Sequence, residues 1–219
     1  MKKTKKFPIG LKVGAASLLA GSIIWVAFAN GKLIPVPSYT VSRVIDGDTF
    51  VTAENQHVRL AGVEAPELDR CGGEEAKQAL EKLIMGKPIY FKMIFSDTYN
   101  RMVSLVYTKD TYVNKKLLQS GYAYYMPRAS TEQIADLKPA GDYARSHKAG
   151  IFSDTCTQTV HTTKPSCNIK GNVRNGNIYY LPDCGVYHNT VVQLYMGDRW
   201  FCTEQEAIKA GFRKPEQCK

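Results

Sequence analysis

Histidine is scarce in this chain, with four among 219 residues, at positions 57, 147, 161 and 188. None stands beside a serine or cysteine in a recognisable triad order, which argues against a nucleophile activated by imidazole. Acidic residues are also outnumbered, 20 against 29 lysines and arginines, for a formal charge of +9. The excess favours polyanionic partners, phosphate backbones or anionic membranes, without choosing between them. Charge of either sign is missing altogether from Val13 to Gly31. Behind the basic run Met1-Lys2-Lys3-Thr4-Lys5-Lys6, that stretch reads as an export or anchor segment occupying about residues 1–30. Ala27-Phe28-Ala29 supplies a small-x-small pattern for cleavage at about Ala29. The nineteen uncharged residues also fall within the roughly 17 to 25 that span a bilayer, so an uncleaved anchor is the alternative and the one membrane contact expected. On either reading the positive-inside rule places everything after Lys32 outside the cytoplasm, secreted or anchored on the outer side.

What the chain does contain fits that address. Six cysteines, at 71, 156, 167, 184, 202 and 218, form an even count, which in an exported chain points to disulfides. Segment positions suggest the pairing. Cys71 opens the loop after an acidic strand end and Cys156 follows the final helix, so a bond between them would tether the end of the larger domain. Cys167 with Cys202 and Cys184 with Cys218 would staple the tail, a unit of about fifty residues with too little core of its own. A zinc site from Cys184, His188, Cys202 and Cys218 is the alternative, although its spacing is irregular.

Residues 39–63 alternate in short β-type runs, 39–45, 49–53 and 57–63, which predicts a three-stranded meander. Ala76, Ala79, Leu80, Leu83 and Ile84 recur at helical spacing ahead of Gly86, a natural C′ stop. Strand-like runs follow at 89–95 and 102–107, then a helix over 113–120 and a helical stretch within 131–149. Pro139 should split that last stretch into two pieces near Lys138. Five short strands with helices interposed predict a mainly β, α+β domain, a five-stranded barrel of OB type, over 39–156. Residues 157–166 read as a linker and 167–219 as a small cysteine-stapled module.

The chemistry concentrates in Val44-Ile45-Asp46-Gly47-Asp48-Thr49-Phe50 and Val58-Arg59-Leu60-Ala61-Gly62-Val63-Glu64-Ala65-Pro66-Glu67. Carboxylates crowded at a tight turn raise each other's pKa unless a cation neutralises them. A hard, oxygen-seeking cation such as Ca²⁺ suits them, and an adjacent arginine offers a planar fork for phosphate. With Asp97-Thr98-Tyr99-Asn100-Arg101, these stretches resemble, in order and spacing, the three motifs of the staphylococcal-nuclease (thermonuclease) family, over about residues 39–153.

The resemblance implies an OB-fold, Ca²⁺-dependent enzyme that hydrolyses phosphodiesters of DNA and RNA. It makes Asp48 and Glu64 side-chain ligands of Ca²⁺, gives Ala65 a ligating carbonyl and sets Asp46 beside the metal through water. Glu67 would orient or deprotonate the attacking water, and Arg59 and Arg101 would grip the phosphate. Two positions depart from the pattern: Glu64 stands where aspartate is familiar, and Asn100 where glycine usually precedes the second arginine. Tyr99, Tyr122, Tyr124 and Tyr125, interleaved with Lys115, Lys116 and Arg128, either stack on unpaired bases or pack in the fold. Tyr99 is the one assigned to substrate, and single strands are the favoured form. The whole reading is an exported nuclease, expected as a monomer. Its rival is a catalytically weak OB-fold protein that binds nucleic acid without turnover.

Overall fold

Alternating and helical patterns become elements wherever they meet a common core. The computed structural model describes residues 24–27, 33–36, 38–127, 132–174, 176–216 and 218. Most of the apolar Val13–Gly31 stretch, its basic leader and Arg128 lie outside these residues. Residues Met1–Pro37 form a unit of their own, in which Ile24–Ala27 and Leu33–Val36 pair antiparallel. Among the described residues no helix is long and apolar enough to cross a membrane.

From Ser38 onward the chain is a second unit, mixed α+β. Its elements begin with β1 (Val41–Val44), β2 (Thr49–Thr52), β3 (His57–Leu60), β4 (Val63–Glu64) and α1 (Gly73–Ile84). There follow β5 (Tyr90–Ser96), β6 (Met102–Tyr107), α2 (Val113–Gln119), β7 (Tyr124–Tyr125) and α3 (Leu137–Ser146). The expected meander is present: Val44 faces Phe50 and Phe50 faces Val58 across antiparallel ladders. Strand β6 joins β3 in parallel and β5 pairs antiparallel with β6, giving the order β1-β2-β3-β6-β5. The outer edges meet once, where Tyr39 and Ile89 exchange backbone hydrogen bonds of 2.9 and 3.0 Å. That is one bridge and not a ladder, so the described strands form a five-stranded sheet whose closure toward the expected barrel is limited to one point.

Helix α1 turns Ala79, Leu80 and Ile84, among the residues whose spacing predicted it, onto the sheet, and Phe50, Val58, Leu60 and Val106 share one core with them. Ala76, also buried, lies against the Gly47 turn. Pro139 behaves differently from expectation. Residues 132–136 are turn and a single helix runs Leu137–Ser146, which places Pro139 in its first turn. An N–H there has no intrahelical partner to lose, so proline is tolerated, and no second helical piece is present among the described residues of that stretch.

Helix α2 fastens the sheet through Asn114, which is fully buried. Its Oδ1 accepts the N–H of Val106 (2.8 Å), while its Nδ2 donates to the carbonyls of Ala61 (2.9 Å) and Ser104 (3.1 Å). One side chain thereby joins the end of β3 to β6, the two strands that lead to the acidic and basic motifs.

Beyond α3 come β8 (Thr157–Gln158), β9 (Ile169–Asn172), β10 (Ile178–Tyr180), β11 (Val192–Gln193), β12 (Arg199–Phe201) and α4 (Glu204–Lys209). The segment read as a linker starts with β8, which pairs with β11 of the tail. The tail sheet runs β10-β9-β12. Disulfides join Cys71 to Cys156, Cys167 to Cys202 and Cys184 to Cys218. Cys184, Cys202 and Cys218 therefore offer no thiolates, which removes the zinc alternative. Asp198 is a polar hub of the tail, accepting the N–H groups of Val173 and Gln193 (both 2.9 Å) and the Asn172 amide (2.7 Å).

Replacing Asn114 by Ala leaves one N–H and two carbonyls buried without that partner, at a cost of roughly 2 to 5 kcal/mol. Urea unfolding should show a lower midpoint with an unchanged m value. A midpoint equal to that of the parent chain would mean that the network contributes nothing.

Candidate active site

The turn between β1 and β2 is built by its own side chains. Asp46 Oδ1 accepts the N–H of Asp48 at 3.0 Å, the local bond that makes Asp a turn residue. Gly47 is required by close packing: a Cβ there would stand 2.5 Å from the Cβ of Ala76 and 2.6 Å from that of Ala65. The turn is thus pressed between α1 and the chain leaving β4.

Asp48 is 3% exposed. Its Oδ1 accepts from Thr49 Oγ1 (2.8 Å) and Arg59 Nη1 (2.7 Å), and its Oδ2 from the N–H of Ala65 (3.0 Å). Burial pushes this carboxyl up to about 7, against the pull of the Arg59 guanidinium and with help from the neighbouring Asp46 charge. The register explains the pairing, since Thr49 lies opposite Arg59 across β2 and β3. The second arginine nitrogen reaches Glu64 Oε2 at 3.0 Å. One planar fork therefore spans two carboxylates that are far apart in sequence. Burial works against the arginine's charge, and Asp48 and then Glu64 hold its pKa above the ordinary value.

Arg101 is positioned by a turn that ends β5. Asp97 Oδ1 accepts the N–H groups of Tyr99 (2.9 Å) and Arg101 (3.0 Å), and its Oδ2 meets Arg101 Nε and Nη2, both at 2.8 Å. Against a burial cost, those donors hold the Asp97 carboxyl below its usual range. Asn100 sits at φ 57°, a left-handed conformation that asparagine tolerates. Arg59, Asp97 and Arg101 line one cavity of about 140 Å³, with Gly62, Phe95 and Met126 among its walls.

The structure thus brings together Asp46, Asp48, Glu64, the Ala65 backbone and Arg59, and sets Arg101 in the same cavity wall as Arg59. Glu67 is not tied to this group by a hydrogen bond or ion pair among the described residues. That residue is exposed on the loop after Pro66, and its carboxylate makes no hydrogen bond or ion pair with other described residues. Tyr99 is 79% exposed, with the Arg101 guanidinium 5.2 Å from its ring centre. Tyr122 and Tyr125 pack against the main core and Tyr124 against a smaller cluster. Lys115 and Lys116 are exposed on α2. Sequence reasoning missed Thr49 as a support of the charged groups, whereas a turn pairing of Arg101 with Asp97 was legible from their spacing. Thr49 lies inside the first motif, and a hydroxyl beside a carboxylate was the available signal.

Ca²⁺ prefers oxygen donors and tolerates irregular geometry. The donor set fits such an ion chemically, since three carboxylates gather around a site where burial already disfavours the charge of one. Among the described residues no three such donors form a ready cage, because Arg59 stands between Asp48 and Glu64.

Residues 57–154 match the family described as "Staphylococcal nuclease homologue". That span includes Arg59, Glu64, Glu67 and Arg101 and begins after the Asp46–Asp48 turn. An "Uncharacterized endonuclease" of Escherichia coli O157:H7 is 30% identical over 118 residues, 52% of this chain and 76% of the relative. The "Micrococcal nuclease" of Shigella flexneri is 28% identical over 150 residues, 61% of this chain and 86% of that one. A "Probable staphylococcal-like nuclease" of Oryza sativa subsp. japonica is 30% identical over 103 residues, 47% of this chain. The match spans only 30% of the rice protein.

The raised pKa of Asp48 has a definite sign. Between the ordinary 3.8 and about 7 the folded chain holds a proton that the unfolded chain has released. Folding stability in a chelating buffer therefore falls as pH rises through that window. Asp48→Asn, which cannot titrate, should flatten that slope when thermal midpoints are read from pH 5 to pH 8. Identical melting curves for both chains from pH 5 to pH 8 would show that Arg59 offsets the burial completely.

Proposed function

The chain belongs to the staphylococcal nuclease family, and from that premise we propose that it is an exported, Ca²⁺-dependent nuclease of DNA and RNA. The observation that carries the proposal is one guanidinium, Arg59, tied to Asp48 and Glu64 while it lines a cavity together with Arg101. Carboxylates that can hold a hard cation adjoin two cations that can hold a phosphate, which is the set that phosphodiester hydrolysis requires.

Asp48 and Glu64 would hold Ca²⁺ by their side chains, with the Ala65 carbonyl and, through water, Asp46. Bound there, the ion would supply Lewis acidity at a phosphoryl oxygen. Arg59 and Arg101 bind the phosphate and offset the charge that grows on its oxygens in the transition state. Asp97 holds the Arg101 fork in place, while the Arg59 fork is freed for phosphate once Asp48 and Glu64 hold the ion. Glu67, exposed and free of competing partners among the described residues, takes the proton of the attacking water on its carboxylate. Tyr99, projecting beside Arg101, offers a face for an unpaired base, which favours single strands.

The nuclease domain corresponds to residues 39–156, a sheet of OB type, and the stapled module to 167–219. Export follows from the amino-terminal pattern and agrees with three disulfides. The Glu67 carboxylate, exposed and held by no hydrogen bond among the described residues, is what favours the rival, a protein that binds nucleic acid without cleaving it.

Digestion of single-stranded DNA and of RNA tests the proposal. Cleavage should require Ca²⁺, stop with a chelator and recover poorly in Mg²⁺, whose octahedron is stricter. Glu67→Gln, Arg59→Ala and Arg101→Ala should each lower kcat by about a hundredfold or more. Retention of nucleic acid with no cleavage in any divalent ion would establish the rival instead.

Arg59 also competes with the metal for the same two carboxylates. Removing its positive charge in Arg59→Met should tighten Ca²⁺ binding by roughly tenfold, since a unit charge a few ångströms away opposes a cation even at high effective dielectric. Calorimetric titration reads this without reference to turnover. Weaker binding in the variant would show that Arg59 organises the ligands more than it repels the ion.

A further inference from the structure

The tail touches the larger half of its unit close to the residues that carry the proposed chemistry. Tyr195 is 1% exposed, and its ring centre lies 5.7 Å from those of Tyr124 and Phe152. Tyr124 is the register partner of Glu64, so the Tyr195 ring presses on the strand pair that carries that carboxylate.

The next two residues make a second contact. The Met196 carbonyl accepts from Arg70 Nη1 at 3.2 Å. Gly197 turns at φ 93° beside the same guanidinium, where a Cβ would come within 3.3 Å of Arg70 Cζ. Arg70 in turn belongs to the loop of Glu67. Its N–H donates to the Glu67 carbonyl (2.9 Å) and its carbonyl accepts from Gly73 (3.0 Å). A third link is covalent: neighbouring Cys71 is bonded to Cys156, whose carbonyl accepts the N–H of Leu194 at 2.9 Å.

Residues 67–70 are all exposed. A solvent-facing turn with few buried contacts opens at little free-energy cost, and a general base displaced by an ångström loses much of its effect. We propose that the C-terminal module braces the reaction centre, with Arg70 and Tyr195 as positioning residues. Arg70 fixes the turn that carries Glu67, and Tyr195 fixes the strand pair that carries Glu64. The roles of Glu67 and Glu64 rest on the nuclease reading above, whereas the brace rests on the contacts alone.

Full-length Arg70→Ala and Tyr195→Leu are compared with Arg70→Lys and Tyr195→Phe, which keep the donor and the ring. Arg70 is exposed, so its variants leave the core side chains unchanged, and a thermal melt of each confirms that it folds. Two quantities are read below the melting temperature: kcat and KM on single-stranded DNA with Ca²⁺, and amide hydrogen exchange along the chain. Arg70→Ala should lower kcat by about tenfold with KM changed less than about twofold, and should speed exchange at residues 68–72 while α1 and the central sheet keep their rates. Arg70→Lys should recover most of kcat. Tyr195→Leu should speed exchange at residues 124–125 with a matching loss of kcat, and Tyr195→Phe should do neither. Parental kcat and parental exchange in both disruptive variants overturn the brace, and so does a loss of kcat with exchange unchanged. If the parent chain cleaves nothing, the nuclease reading fails by itself and exchange decides alone. Faster exchange at 68–72 in Arg70→Ala then upholds the brace, and unaltered exchange overturns it.

Discussion

The site depends on one buried ion-pair arrangement, the Arg59 guanidinium held between Asp48 and Glu64. A carboxylate as buried as Asp48 is costly to keep charged, and its raised pKa records that cost. Arg59 offsets part of it, as do the hydroxyl of Thr49 and the N–H of Ala65. An added cation would offset the rest. The strain that burial places on Asp48 is thus the physical ground on which a metal would bind, and the same arginine that stabilises the carboxylates is available to a phosphate once another cation takes over that task.

Everything around this pair serves to keep it in register. The β2–β3 ladder sets Arg59 opposite Thr49, Asn114 stitches the exit of β3 to β6, and Asp97 aims Arg101 toward the shared cavity. The tail extends the same logic to the elements with least support of their own. A module of this size has little core, so its disulfides do what burial cannot, and its docked edge gives Tyr195 and the Met196–Gly197 turn a rigid base from which to reach Tyr124 and Arg70.

Much of this was legible before any coordinates because it is local. Short β-type runs between turn residues marked β1, β2 and β3, of which β3 alone alternates in burial. Helical spacing from Ala76 to Ile84 marked α1, because that spacing reflects which face of the helix meets the core. Pro139 misled because the same residue that breaks a helix interior is harmless in a first turn, and where the helix begins is a tertiary decision. The linker assignment missed β8 because a two-residue strand carries no periodicity and exists only where β11 meets it.

The sequence by itself determined the chemistry on offer: hard oxygen donors at Asp46, Asp48 and Glu64, two arginine forks, an exposed acid at Glu67 and an even set of cysteines. Only the tertiary structure decided who neutralises whom. It tied Arg59 to Asp48 and Glu64, and brought Arg70 to the Met196 carbonyl across 126 residues of chain. The reason is one of range. Backbone propensity and side-chain chemistry act over a few residues and can be read along the chain, whereas ion pairs and docked rings depend on strand register and on packing between distant segments, which exist only once the whole core has formed.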